Sequence, residues 1–222
     1  MDRERLLDLL QSVAAGDTPA AEAAHRLEHL TVEDIGFANI DHHRSLRKGF
    51  PEVIFGEGKS AAQIAAIIQR MRPKERVVLA TRVEPQKAQE VLAAHPDAAY
   101  HPEARLLVLE TAPLPDRGRG TILVLSAGTS DIPVAQEAAV TARAMGQRVE
   151  TVFDVGVAGI HRLFQHRERI ETASVLVVVA GMEGALPSVV AGLVSRPVIA
   201  VPTSIGYGVS LGGITALFAM LN

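Results

Sequence analysis

The stretch that decides the fold runs from residue 174 to residue 192, "SVLVVVAGMEGALPSVVAG". Residues 175–180 are apolar and mostly valine, a small flexible turn follows around one acid, Glu183, and a helical segment covers 187–195. An unbroken apolar, β-branched run reads as a strand buried on both faces. The same unit recurs. "TILVLSA" (121–127), "RVETVFD" (148–154) and "PVIAVP" (197–202) are further strands, separated by helical segments over 132–145 and 160–171. Strands alternating with helices predict an α/β fold, here a three-layer αβα domain on a parallel sheet.

Upstream the pattern is less regular. Residues 1–30 suggest two short helices around "AGDTP" (15–19), with Thr18 as N-cap, Pro19 in the first turn and Glu22 in support. "DIGFANIDHHRSLRKGFPEVIFGEGKS" (34–60) reads as irregular and charged, with one strand at Glu52–Phe55. A helix follows at Ala61–Met71, marked by Ile64, Ile67 and Ile68. Strands at 76–81 and 105–111 flank a helix over 85–95. The segment "APLPDRGRG" (112–120) combines proline, glycine and charge and marks a linker. It separates a smaller α+β domain (1–111) from the αβα domain (121–222).

Composition narrows the function. With 48% hydrophobic residues, 21% charged residues and a net charge of −3, the 222-residue chain reads as a globular protein without a nucleic-acid-binding charge balance. No apolar stretch reaches the ~18–20 residues that span a bilayer. The start, "MDRERLLDLL", lacks a signal-peptide core. These features predict a cytoplasmic protein without a membrane segment. The absence of cysteine excludes disulfides, thiolate zinc sites and a thiol nucleophile among these residues.

Parallel sheets bind ligands at the carboxyl ends of their strands, so the strand-to-helix turns are the candidate sites. In "SAGTSD" (126–131), the small residues Gly128 and Thr129 permit close approach of a phosphate or ribose, while Ser130 or Asp131 would serve equally as an ordinary N-cap. The turn lacks the G-x-G-x-x-G spacing of a dinucleotide-binding fingerprint. In "DVGVAGIHR" (154–162), Gly159 precedes His161 and Arg162. A cation at a helix start opposes the macrodipole, which suggests a bound anion, although Arg162 pointing to solvent would need none. In "AGMEGALPS" (180–188), Glu183 stands alone beside Gly181 and Met182. It is expected to be partly desolvated and suited to proton transfer, the alternative being a solvated loop acid. "VPTSIGYG" (201–208) offers Thr203, Ser204 and Tyr207.

Other motifs carry less. "FGEGKS" (55–60) has the context of a phosphate loop, but Val53 stands where a Walker motif needs glycine. "DHHR" (41–44) cannot form a metal site by itself. His25 and His29 read as surface residues. Arg44, Arg47 and Lys48 form a basic patch suited to a small anion.

The αβα half resembles the PurE family of purine-biosynthetic carboxylases. Its "GSxSD" turn is similar to "AGTSD", its "SAHR" to "GIHR" and its "AGGAAHLPG" to "AGMEGALPS". The departures fall on chemistry: the PurE catalytic histidine aligns with Ala185, and two of its serines align with Gly128 and Gly159. The whole chain resembles the LarB family of nickel-pincer cofactor biosynthesis, through "NIDHHRSLRKGFPEVIFGEGKS", "AGMEGALPS" and "VPTSIGYG". That resemblance implies a PurE-like, flavodoxin-like C-terminal domain and carboxylation of nicotinic acid adenine dinucleotide at pyridinium C5. Carbon dioxide or bicarbonate is the co-substrate, and phosphoanhydride hydrolysis gives pyridinium-3,5-biscarboxylic acid mononucleotide and AMP. It also implies NAD as a ligand or substrate, Mg2+ as a candidate for the hydrolytic step, and a homo-octamer. Glu183 corresponds to the family's active-site glutamate. Ser130 and Asp131 are implied at the ribose or phosphate, and Arg162 at the phosphate. The family's nucleophilic cysteine falls just past Asn222, so the final helix is expected to continue. The remaining readings are an imidazole-ribonucleotide carboxylase or mutase, against which Ala185 speaks, and a non-catalytic NAD- or AMP-binding module.

Overall fold

The computed structural model describes residues 3–28, 32–206 and 210–222. The chain forms two compact units, Met1–Pro102 with Leu106–Leu114, and Glu103–Arg105 with Pro115–Asn222. The first begins with helices α1 (Arg3–Ala15) and α2 (Ala20–Glu28). Helix α2 starts with the Pro19 carbonyl accepting the Ala23 N–H. The Thr18 hydroxyl, expected to cap it, pairs instead with the Ser12 hydroxyl at 2.6 Å.

The stretch expected to be irregular holds an antiparallel hairpin, β1 (Val32–Asp34) and β2 (Asn39–Asp41), followed by a short helix, α3 (Arg44–Lys48). The hairpin turn is closed by Asp34, whose carboxylate accepts the Gly36 N–H at 2.7 Å. Next come β3 (Val53–Phe55), α4 (Ala61–Met71), β4 (Val77–Thr81), α5 (Pro85–Ala94), β5 (Ala99–His101) and β6 (Leu106–Glu110). Strands β3 and β4 are parallel, while β6 runs antiparallel to both β4 and β5, giving the order β3-β4-β6-β5. Helix α4 begins in a capping box between Ser60 and Gln63. Its buried Ile64, Ile68 and Met71 form one core with Val78, Ala80, Leu107 and Leu109.

The second unit contains β7 (Thr121–Ser126), α6 (Ile132–Ala144), β8 (Arg148–Val152), α7 (Ile160–Phe164), α8 (Arg167–Thr172), β9 (Val175–Ala180), α9 (Leu186–Leu193), β10 (Val198–Pro202) and α10 (Ile214–Met220). Its four strands are all parallel, in the order β10-β9-β7-β8. Side chains alternate between two cores, as a pleated sheet dictates. Leu123, Leu125, Leu176 and Val178 face the core shared with Leu163, Ile170 and Val190, whereas Val124 and Val179 face Ala135 and Ala139 of α6.

Two helices replace the single one expected over 160–171. His166 leaves helical geometry (φ −107°, ψ 18°), and Leu163 and Ile170, on either side of the break, face the same core. At the last helix, the Asn222 side chain donates to the Phe218 carbonyl at 3.0 Å. Among the described residues no helix is long and apolar enough to cross a membrane.

Candidate active site

The chain leaves β7 for β8 on one side and returns to β9 on the other, so a crevice opens where the strand order reverses. A cleft of about 320 Å³ lies there. Its wall is built from residues 127–131 after β7, Asp154, residues 156–158 and Arg162 after β8, residues 180–183 with Ala185 and Leu186 after β9, and Ile205 and Gly206 after β10. Of the residues singled out in the sequence, Gly128, Thr129, Ser130, Asp131, Arg162, Gly181, Met182 and Glu183 line this cleft together.

Asp131 is not the helix cap that its position suggests, since it makes no side-chain cap bond to α6. It is buried, and its two carboxylate oxygens brace two turns. One accepts the Gly128 N–H at 3.0 Å, and the other accepts the Thr203 hydroxyl at 2.7 Å. Thr203 is therefore a buried tie beneath the cleft rather than part of its wall.

Gly181 serves packing. A Cβ there would lie 1.9 Å from the Ile205 carbonyl oxygen, so the turns after β9 and β10 meet backbone to backbone. Gly128 differs, because the nearest atom to a Cβ would be 3.6 Å away. Its lack of a side chain leaves room in the cleft that the fold does not use.

Arg162 is paired. Its Nη1 donates to Asp154 Oδ2 at 2.6 Å, and the pair is only half-buried. Asp154 and Met182 both take left-handed backbone conformations, with φ of 58° and 51°. Non-glycine residues seldom do so, and such strain gathers at functional sites.

Glu183 corrects an expectation. It is exposed rather than desolvated, and it makes no hydrogen bond or ion pair among the described residues. A free carboxylate on the cleft wall is open to a ligand or a proton.

The remaining residues lie elsewhere. His161 and Ser204 are exposed and do not line the cleft, and Gly159 lies against the Arg162 guanidinium. Tyr207 and His29 fall outside the described residues, and His25 is an exposed residue of α2. In the N-terminal unit, Arg47 pairs with Asp41 at 2.6 Å and Arg44 stacks on the Phe50 ring at 5.3 Å. His42 is buried against Glu33, and no group of three His, Asp or Glu among the described residues is placed to hold a metal ion. Ala185, where the PurE histidine aligns, does line the cleft, whereas sequence reasoning missed Asp154 and Ser126. For Asp154, the one local signal was an acid two residues before Gly156, just past a strand end.

Comparison with known proteins matches both units. Residues 32–111 match the LarB/PurE-like N-terminal domain, and residues 121–222 match AIR carboxylase. An uncharacterized protein of Methanocaldococcus jannaschii is 38% identical over 227 residues, which covers 99% of this chain and 88% of that protein. The chain belongs to the LarB family. This LarB-family chain is also 36% identical over 104 residues to the N5-carboxyaminoimidazole ribonucleotide mutase of the same organism, covering 46% of the chain and 61% of the mutase. The LarB/PurE-like family is one of carboxylases and mutases, and the cleft of this LarB-family chain lies within the region matched to AIR carboxylase.

Proposed function

We propose that the cleft carboxylates the pyridinium ring of nicotinic acid adenine dinucleotide at C5 and hydrolyses its phosphoanhydride, giving pyridinium-3,5-biscarboxylic acid mononucleotide and AMP. The observation that carries this reading is the wall after β9. Ala185 stands where a PurE enzyme is expected to hold its catalytic histidine, and the unpartnered carboxylate of Glu183 stands two residues before it.

The chemistry sets out what the wall must supply. A pyridinium carbon is electron-poor and does not attack carbon dioxide. Thiolate addition at C4 gives a neutral dihydropyridine whose C5 is an enamine carbon. C5 then forms a bond to carbon dioxide, loses its proton, and the C4–S electrons leave with the thiolate as aromaticity returns. The thiol is not among these 222 residues, which contain no cysteine, and the reading assigns it to the cysteine the family carries. Glu183 would take the C5 proton. Arg162 would hold a phosphoryl group, and the open space at Gly128 would admit ribose or phosphate. Mg2+ would offset the charge of the phosphoanhydride during its hydrolysis. An octamer in the cytoplasm completes the proposal, supported by the exposed apolar side chains Ile199, Ile214, Leu217 and Phe218 on β10 and α10.

The mutase relative favours a second reading, action on an imidazole ribonucleotide, against which Ala185 argues. Protein expressed from its full gene, incubated with nicotinic acid adenine dinucleotide and 13C-bicarbonate, should yield AMP and a labelled dicarboxylate by mass spectrometry. Conversion of an imidazole ribonucleotide alone would favour the mutase. Binding of NAD or AMP without turnover would leave a sensor module, and either result would overturn the proposal.

A further inference from the structure

Arg162 is the only cation among the described cleft-lining residues, so how it is held decides what the cleft can bind. Asp154 grips its Nη1 at 2.6 Å from a left-handed backbone position, φ 58°. That backbone is fixed from below. Ser126, fully buried at the end of β7, accepts the Asp154 N–H on its hydroxyl at 3.2 Å and the Val155 N–H on its carbonyl at 3.1 Å. On the other side, a Cβ at Gly159 would lie 2.7 Å from Arg162 Nε and 3.2 Å from Nη2. The guanidinium therefore lies directly over a bare Cα. A half-exposed ion pair adds little to stability, so the fold alone gives no reason for this bracing.

We propose that Asp154 is a positioning residue. It fixes the Arg162 guanidinium in one orientation, with Ser126 as its buried anchor and Gly159 as the space it needs, so that the unused N–H donors meet the phosphoryl group of a nucleotide. A pre-organised fork loses less rotamer freedom on binding than a free arginine does. This rests on the nucleotide reading above but not on the carboxylation step.

The test is a double-mutant cycle read by calorimetric titration with AMP. Asp154→Gly removes the carboxylate and suits the left-handed backbone, so it separates positioning from misfolding. It should weaken AMP binding by about tenfold, as should Arg162→Ala. Asp154→Asn keeps an acceptor for Nη1 and should recover affinity to within about threefold. Because Asp154 acts through Arg162, the double variant should bind no more weakly than Arg162→Ala alone. Gly159→Ala should weaken binding while leaving the melting temperature close to wild type.

Additive losses in the double variant, wild-type affinity in Asp154→Gly, or no AMP binding by the wild type would each overturn the proposal. A wild type that binds AMP in this pattern but makes no dicarboxylate overturns only the carboxylase reading. Product formation unaffected by Asp154→Gly overturns only the positioning role.

Discussion

Thr203→Val isolates the tie beneath the cleft. Valine keeps the shape of threonine, so no cavity forms, but Asp131 loses the donor that reaches it at 2.7 Å. Both residues are at most 5% exposed, so water cannot replace the lost bond without opening the turn. A hydrogen bond to a charged group contributes roughly 1.5–3 kcal/mol. The extra buried methyl returns about 0.8 kcal/mol. The net loss is then roughly 1–2 kcal/mol, or about 2–8 °C in melting temperature for a chain of this size. Thr203→Ser is the control, since it keeps the hydroxyl and gives up only the methyl. Differential scanning calorimetry of the three proteins should place serine between wild type and valine. Equal melting temperatures for valine and wild type, or a serine variant less stable than valine, would refute the assignment of Thr203 to bracing.

Glu183→Gln should leave the fold intact, because the side chain is exposed and unpartnered among the described residues, and should slow carboxylation by roughly 10²-fold or more; turnover and thermal melts measured together check both parts. Gly181→Ala forces a Cβ to 1.9 Å from the Ile205 carbonyl and should destabilise by at least about 1–3 kcal/mol, read in urea melts, with loss of AMP binding. In the N-terminal unit, burial holds the His42 pKa below its ordinary 6.5, and hydrogen bonds from Lys74 and His42 hold Glu33 below 4.5. Both depressed values mean that the unfolded chain takes up protons first, so stability is full above pH 6.5, falls as His42 is forced to charge, and falls again below pH 4.5. Urea midpoints measured between pH 7.5 and pH 4 should decline in that order, and His42→Gln should flatten the upper step.

What the sequence made legible follows from which forces are local. Strands β7 and β9 announce themselves because both of their faces are buried, leaving no polar interruption to confuse the reading. The β1–β2 hairpin stayed hidden because "VED" and "NID" are three-residue strands whose turn is set by one side chain, Asp34. Helices α7 and α8 read as one because the break at His166 involves neither glycine nor proline, and Leu163 and Ile170, seven residues apart, would share a face in a continuous helix as well. The antiparallel pairing of β6 with β4 is tertiary and leaves no mark on two largely apolar strands. At the cleft, the turns could be located from strand ends, but not their internal bonds. Asp131 and Thr203 lie 72 residues apart, and no local pattern links them.

The bracing bears on how one cleft can serve different reactions. Asp131 ties the β7 turn to the β10 turn, Gly181 locks the β9 turn against Ile205, and Ser126 secures the β8 turn through Asp154. None of these contacts involves Ala185 or the Glu183 carboxylate. The position expected to hold the PurE histidine can therefore become alanine without loosening the wall, and a nearby carboxylate can take over proton handling. Shape resides in the ties and chemistry in the side chains the ties leave free. On that division, substitutions at the ties should first change stability, whereas Glu183 and Ala185 should change which reaction is catalysed while the melting temperature stays constant.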